Sequence, residues 1–228
     1  MKVRTIHAWD LGPKEAMALQ AGLSRGLVLR GRIRRPRLVA GCDAAYPPDG
    51  KGILGGAVIW DLEEALVVEQ ALARGRVVFP YIPGLLGFRE VPVLLEALTG
   101  LTVEPELVLV DGQGTAHPRG LGLASHLGLH LDIPTVGCAK SKLVGIHGPL
   151  GPRKGEIAWL FYEGRRVGAA VRTREGVRPL YVSPGNRIGL KGAVDAVLRC
   201  VGRFRLPEPL RRAHMLVQAF KREEASGG

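Results

Sequence analysis

Cysteine is scarce in this chain of 228 residues, and so are asparagine, serine and acid. The three cysteines, Cys42, Cys138 and Cys200, are too few and too scattered for a disulfide framework or a zinc knuckle. Only five serines occur and no GxSxG elbow, which removes that type of hydrolase nucleophile. The single asparagine, Asn186, fits the depletion of thermolabile amides in thermophile proteins, although a biased genome gives the same count. No uncharged apolar run approaches the roughly 20 residues of a membrane span. The N-terminal MKVRTIHAWDLGPKEAM has no apolar signal core, so a soluble, cytoplasmic protein without a membrane partner is expected. Several motifs fail by one residue. Gly112-Gln113-Gly114 follows an apolar run, but position 117 is His, which breaks the dinucleotide fingerprint. There is no GxxxxGK[ST] loop. His126 and His130 have metalloprotease spacing, but position 127 is Leu, so the general base is missing.

What is present is globular composition, 46% hydrophobic and 23% charged, which excludes a disordered chain, a collagen-like chain and a coiled coil. The length suits a single domain over 1–228, with a disordered tail at about 223–228 (EEASGG). Lys and Arg number 32 against 21 acids, a net charge of +11. That surplus points to a polyanionic partner, most simply nucleic acid; a basic surface kept for solubility is the bland alternative.

Residues 14–29 place Ala18, Leu19, Leu23 and Leu27 at helical spacing after Pro13. Three strand-like runs follow, Arg37–Ala45, Ile53–Leu62 and Leu66–Phe79, the last broken by Arg74-Gly75-Arg76; they read as an antiparallel meander. The pattern then changes. Val91, Leu94, Leu95 and Leu98 form a helical stripe with Pro92 in its first turn. Leu107–Val110 is a continuous apolar run, the mark of a strand buried on both faces. A helix near Leu121–Leu131 and a second buried strand, Pro134–Cys138, complete a β-α-β unit with parallel strands. Ile157–Tyr162 and Val167–Thr173 are further strand candidates. Helices are expected from Leu190 to Val201 and over about Glu208–Arg222. The expected architecture is one α/β sheet, mixed and five-stranded, an antiparallel meander joined to parallel strands and flanked by helices.

Acids are few enough that those at strand ends stand out. Asp43 lies inside the apolar run VAGCDAAYP and Asp111 closes LVLVDGQG. In open α/β sheets, reactive groups gather beyond the carboxyl ends of strands. If the two strands are parallel neighbours, both carboxylates can share one hard cation, Mg²⁺ or Mn²⁺; otherwise each caps a turn. Glu90, in GFRE, either joins them or merely caps a helix. His214 borders the apolar stripe of the last helix, the usual place of a boundary histidine, and Lys140 reads by itself as a surface lysine.

Four blocks taken together are more specific: VAGCDAAYP, Pro80-Tyr81-Ile82-Pro83 running into GLLGFRE, VDGQGTAHPRGLGLASHLG (110–128) and PTVGCAKS (134–141). They resemble, in order, the signature blocks of the endonuclease V family, densely over residues 37–145 and more loosely beyond. The resemblance implies a ribonuclease H-like fold. It makes Asp43 and Asp111 metal-binding carboxylates, with Glu90 completing the acidic site and His214 where related nucleases place a fourth catalytic side chain. Lys140 matches the active-site lysine and His117 the histidine of the GTAHPRG block. Pro80, Tyr81, Ile82 and Pro83 match the wedge: prolines stiffen the tip, and the two apolar side chains fill the space a flipped base vacates.

The resemblance further implies a base pocket formed by Gly84, Gly112, Gly122 and Gly137, where backbone amides can approach a base closely. Donors aimed at the hypoxanthine carbonyl disfavour adenine, and a tight wall including Leu86 and Leu123 leaves no room for guanine's amine. The implied reaction is metal-dependent hydrolysis of a phosphodiester bond on the 3′ side of deoxyinosine in DNA, leaving 3′-hydroxyl and 5′-phosphate ends. The implied cofactor is Mg²⁺, with Mn²⁺ able to substitute; inosine in RNA is a further candidate substrate, and a monomer is expected. Two rival readings share the fold. A non-catalytic nucleic-acid-binding module would lack Asp43, Glu90 and Asp111; a junction-resolvase-like nuclease would lack the wedge and glycine pocket.

Overall fold

The computed structural model describes residues 1–47, 50 and 52–226. Its strands are β1 (Leu38–Ala45), β2 (Gly52–Asp61), β3 (Leu66–Arg76), β4 (Leu107–Val110), β5 (Thr135–Ala139), β6 (Ile157–Tyr162), β7 (Arg165–Val171) and β8 (Leu180–Asn186). Its helices are α1 (Pro13–Leu23), α2 (Gly87–Thr99), α3 (Leu123–His130), α4 (Leu190–Cys200) and α5 (Glu208–Ser226). The strands form one mixed sheet in the order β3-β2-β1-β4-β5-β8-β7-β6. β1 runs parallel to β4 and β4 parallel to β5, and the remaining neighbours are antiparallel.

The sheet therefore has eight strands, and the five expected are its β3-β2-β1-β4-β5 part. β8 joins β5 to the β6–β7 hairpin, and it hides in the sequence because LYVSPGN carries Pro184 and Gly185. Proline cannot donate to a ladder and is tolerated in a sheet at edges or irregularities. Here the β5–β8 register shifts between Thr135 and Val136, where Val136 meets Pro184. The hairpin between β6 and β7 turns on Glu163 and Gly164, both at positive φ, as a two-residue turn matching strand twist requires.

Other boundaries also move. The helix expected over 14–29 ends at Leu23 and tightens into a 3-10 turn, Ser24–Gly26. α2 begins at Gly87, so Pro92 lies inside the helix and not in its first turn. α5 continues past Arg222 to Ser226, so the tail expected to be disordered at 223–228 is helical over its first four residues; residues 227–228 lie outside the described ones.

β4 explains the two-layer core. Its Val108 and Val110 face the cluster under α2 and α3, with Leu94, Leu98, Leu123 and Leu127. Its Leu107 and Leu109 face the cluster under α4, with Val194, Val197 and Val182. All four β4 side chains are fully buried, each contributing about 1.5–3 kcal/mol of transfer free energy. α5 lies across β1 and β2, with Val217 against Leu54 and Ala45. Close approach requires Gly41, where a Cβ would stand 2.3 Å from the Pro209 carbonyl carbon. Among the described residues, no helix is long and apolar enough to cross a membrane.

Candidate active site

Parallel pairing of β1 with β4 puts Cys42 beside Val110, so the next residues, Asp43 and Asp111, stand side by side. Asp111 lies just past the carboxyl end of β4, and Asp43 lies two residues before the end of β1. The Asp111 N–H is held on the Cys42 carbonyl at 3.2 Å. α5 contributes His214, one turn from buried Leu210 and Val217, and its Nδ1 lies 2.7 Å from Asp43 Oδ2. One ligand atom each from Asp43, Asp111 and His214 fall within 4.8 Å of one another. Lys140, just past β5, donates its Nζ to Asp111 Oδ2. Glu90 stands outside that group of three. It is buried in the first turn of α2 and accepts a 2.9 Å hydrogen bond from the Tyr46 hydroxyl. Arg89 in turn donates to Tyr46 and sits over its ring.

The electrostatics are those of crowded, partly dry acids. Burial pushes the Asp43 carboxyl up, Asp111 pushes it further, and His214 and Lys140 oppose the rise. Burial also raises Glu90, to about 7, with the Tyr46 hydroxyl opposing and Asp43 and Asp111 adding to the shift. Two strand-end carboxylates with one imidazole offer oxygen-rich ligation to a divalent cation, whose charge offsets this repulsion. The donor set therefore fits a metal, with Asp43 and Asp111 as the oxygen ligands and a ring nitrogen of His214 within the same reach.

Beside the acids lies a cleft of about 360 Å³. Tyr81, Ile82, Pro83, Gly84 and Leu86 line one side and Gly112, His117, Gly122 and Leu123 another; Asp111 and Lys140 belong to both cleft and acidic centre. Tyr81 is 70% exposed. The turn behind it is clamped: the Gly84 carbonyl accepts from Gln20 Nε2 (3.0 Å), His117 Nε2 (2.9 Å) and Arg119 (2.9 Å). Gly84 has φ +81°, a conformation that glycine adopts without strain. His117 Nδ1 accepts the Arg119 N–H, so the imidazole is neutral with its proton on Nε2. Burial lowers its pKa to about 4, partly opposed by the Gly84 carbonyl.

Asp43, Asp111 and His214 thus come together with Lys140, and Glu90 adjoins them through Tyr46. Pro80 and Gly137 do not line the cleft. A Cβ on Gly137 would meet the Gly114 amide nitrogen at 2.4 Å, so Gly137 lies under the 112–114 turn rather than in the wall. The amides of Gly112 and Gly122 already donate to the Val110 and Gly114 carbonyls. In this conformation those glycines supply room, not the free donors expected of them. Sequence reasoning missed Tyr46, Arg89, Gln20 and Arg119. Tyr46 lies within the VAGCDAAYP block, a usable signal; Gln20, on α1, carried none.

The family model of endonuclease V matches residues 22–215. An endonuclease V of Alkalilimnicola ehrlichii is 47% identical over 220 residues, covering 96% of this chain and 97% of its own. The crystal structure of the endonuclease V of Streptomyces avermitilis superposes with a TM-score of 0.90 at 38% identity, over 99% of this chain and 100% of that one. The fold is shared also by Ciona intestinalis endonuclease V, in complex with a 24mer DNA containing an inosine followed by a ribo-adenosine (TM-score 0.82, 24% identity, 92% and 98% covered).

Proposed function

The chain belongs to the endonuclease V family, and from that premise we propose that it recognises deoxyinosine in DNA and hydrolyses a phosphodiester bond on the 3′ side of the lesion. The observation that carries the reading is the junction of the two regions. The cleft ends on Asp111 and Lys140, within reach of Asp43 and His214. The strand order 3-2-1-4-5, running inward from one edge of the sheet, supports a ribonuclease H-like reading of the fold.

Asp43 and Asp111 would hold Mg²⁺, or Mn²⁺ in its place, beside His214. The cation, when bound, polarises the scissile phosphate and makes water a better nucleophile at neutral pH. The water oxygen bonds to phosphorus as the 3′-oxygen leaves with a proton, giving 3′-hydroxyl and 5′-phosphate ends. Lys140 orients Asp111 and adds positive charge where the phosphate sits. His214 donates Nδ1–H to Asp43, fixing that carboxylate and leaving Nε2 to take up a proton. Glu90, held by the Tyr46 hydroxyl, backs the pair and completes the acidic site.

Recognition falls to the wall on the Tyr81 side. Tyr81 and Ile82, between Pro80 and Pro83, would fill the gap left by the flipped nucleotide while Leu86 and Leu123 enclose the base. The basic surplus holds the phosphate backbone without reading sequence. The protein works as a cytoplasmic monomer in this reading, and inosine in RNA is a second substrate to try. The deciding assay compares matched duplexes with and without one deoxyinosine, in Mg²⁺ and in chelator. Cleavage confined to the inosine duplex with Mg²⁺ is expected; equal cutting of both duplexes would favour a structure-directed nuclease.

A further inference from the structure

We infer that His7, His126 and His130 form a second metal site, for a borderline cation of the Zn²⁺ class that prefers imidazole nitrogen. His126 and His130 are one turn apart on α3 and share a face. The general base that a metalloprotease motif needs is missing at Leu127, but a structural site has no use for one. The third ligand comes from the other end of the sequence: His7 Nε2 lies 2.7 Å from His126 Nε2. One ring nitrogen of each of the three histidines lies within 4.8 Å of the others.

The hydrogen bonds select the nitrogens. His7 Nδ1 lies 2.8 Å from the Ala8 carbonyl and His130 Nδ1 lies 2.7 Å from the Arg4 carbonyl. A carbonyl only accepts, so both Nδ1 atoms carry the proton and both Nε2 atoms carry a lone pair. A backbone carbonyl on the far nitrogen is the arrangement that orients metal-ligating histidines. His130 Nε2 is buried and, among the described residues, has no hydrogen-bond partner. A buried polar atom left unpaired costs on the order of 1–3 kcal/mol unless something ligates it.

The shell fits as well. Trp9 stacks on His130 at 5.3 Å and meets His7 edge-on at 4.4 Å, while Phe88 meets His126 edge-on at 4.9 Å. His126 and His130 are buried and His7 is half-exposed, so an ion enters past His7, where water completes the coordination. His7 Nε2, with its lone pair, accepts from His126 Nε2 in the metal-free protein, so binding shifts the His126 proton to Nδ1, which is buried and, among the described residues, has no hydrogen-bond partner. Zn–N bonds of about 2.0–2.1 Å set tetrahedral N···N separations near 3.3 Å. Occupation therefore moves His7 outward by roughly half an ångström, on the accessible side. Zn²⁺, Co²⁺, Ni²⁺ and Cu²⁺ all favour imidazole, whereas Mg²⁺ does not. The ion would fasten the N-terminal segment to α3, whose first residue, Leu123, lines the cleft.

The test uses the full chain, stripped with chelator and kept in excess Mg²⁺ to occupy the acidic centre, and titrated with Co²⁺ alone and then Zn²⁺. One equivalent of Co²⁺ with the visible spectrum of nitrogen ligation is expected, displaced by Zn²⁺, and Zn²⁺ should raise Tm. His7→Gln, on the exposed side, should keep the metal-free Tm and weaken binding by at least about tenfold. A chain carrying Asp43→Asn and Asp111→Asn should bind the same single equivalent. Absence of a stoichiometric Co²⁺ spectrum, or unchanged binding in His7→Gln, would overturn the site. Loss of the equivalent in the double aspartate variant, with Tm unchanged, would assign it to the acidic centre instead.

Discussion

Asp43 and Asp111 stand on strands whose pairing fixes them, whereas Tyr81 to Gly84 stand on a loop held by side chains from α1 and from the turns after β4. The first region concentrates charge, and burial and neighbouring acids push Asp43 and Glu90 upward. The second carries no acid of its own: its histidine is held uncharged, Arg119 grips the Gly84 carbonyl, and its exposed tip is an aromatic ring. Chemistry and recognition therefore use different means in one cleft. Strand pairing sets Asp43 beside Asp111 through the backbone alone. The loop is positioned by three donors on one carbonyl.

Substitutions should separate the two regions. Asp43→Ala or Asp111→Ala is expected to lower single-turnover cleavage of an inosine duplex by about 1,000-fold or more, equivalent to about 4 kcal/mol. Inosine-duplex affinity should stay nearly unchanged, and full Mg²⁺-dependent activity in either variant would remove that residue from the centre. His214→Ala should cost about 100-fold in turnover with little change in binding, the size of a lost acid–base group; an unchanged single-turnover rate would return His214 to a packing role.

Tyr81→Ala tests the opposite region. Losing roughly 1–3 kcal/mol of stacking should weaken inosine-duplex binding about 5- to 150-fold. Saturating enzyme should recover most of the rate, and the defect should shrink on unpaired inosine. Equal losses on duplex and single strand, without recovery, would mean that Tyr81 supports the acidic centre after all.

Gly41→Ala probes how the first region is held. Its new Cβ would strike the Pro209 backbone and lift α5, costing about 1–3 kcal/mol of stability. Calorimetry should show Tm lower by several degrees, and turnover should fall more than binding because α5 carries His214. An unaltered Tm would mean that the helix yields without strain.

The smallest effect belongs to His117. Its folded pKa near 4 lies below the ordinary 6.5. As pH falls through that window, the unfolded chain takes a proton that the folded chain refuses, so stability declines. By pH 5 the loss is about 2 kcal/mol from this group. Urea denaturation of metal-free protein at pH 7 and pH 5 should show a shallower loss for His117→Gln than for the unaltered chain. Parallel slopes would mean that His117 is not held neutral.

The strands that matter for the acids were legible in the sequence. Leu107–Val110 is a run that only a strand buried on both faces explains, and Asp111 follows it directly. The β1–β2–β3 meander was legible from its strand-like runs and the Gly and Pro cluster between the first two. β8 was not, because Pro184 contradicts a central strand until its partner supplies an irregularity. Glu90 could be named but not placed; its bond to Tyr46 depends on how α2 packs against the end of β1.

By itself the sequence determined the chemistry available: scarce acids at strand ends, a +11 surplus, an aromatic between prolines, and two histidines one helical turn apart. These are local properties, set by residue type and short-range periodicity. Tertiary structure alone decided which of them meet. His214 reaches Asp43 across 171 positions because Gly41 lets α5 rest on the sheet. Gln20 reaches Gly84, and His7 reaches His126 across 119 positions, through packing that no local pattern encodes. Gly137 and Gly84 look alike in sequence, yet one lies beneath a turn and the other bends a loop. Contacts between distant segments depend on the sum of many weak burial terms, and that sum is not written at any one position.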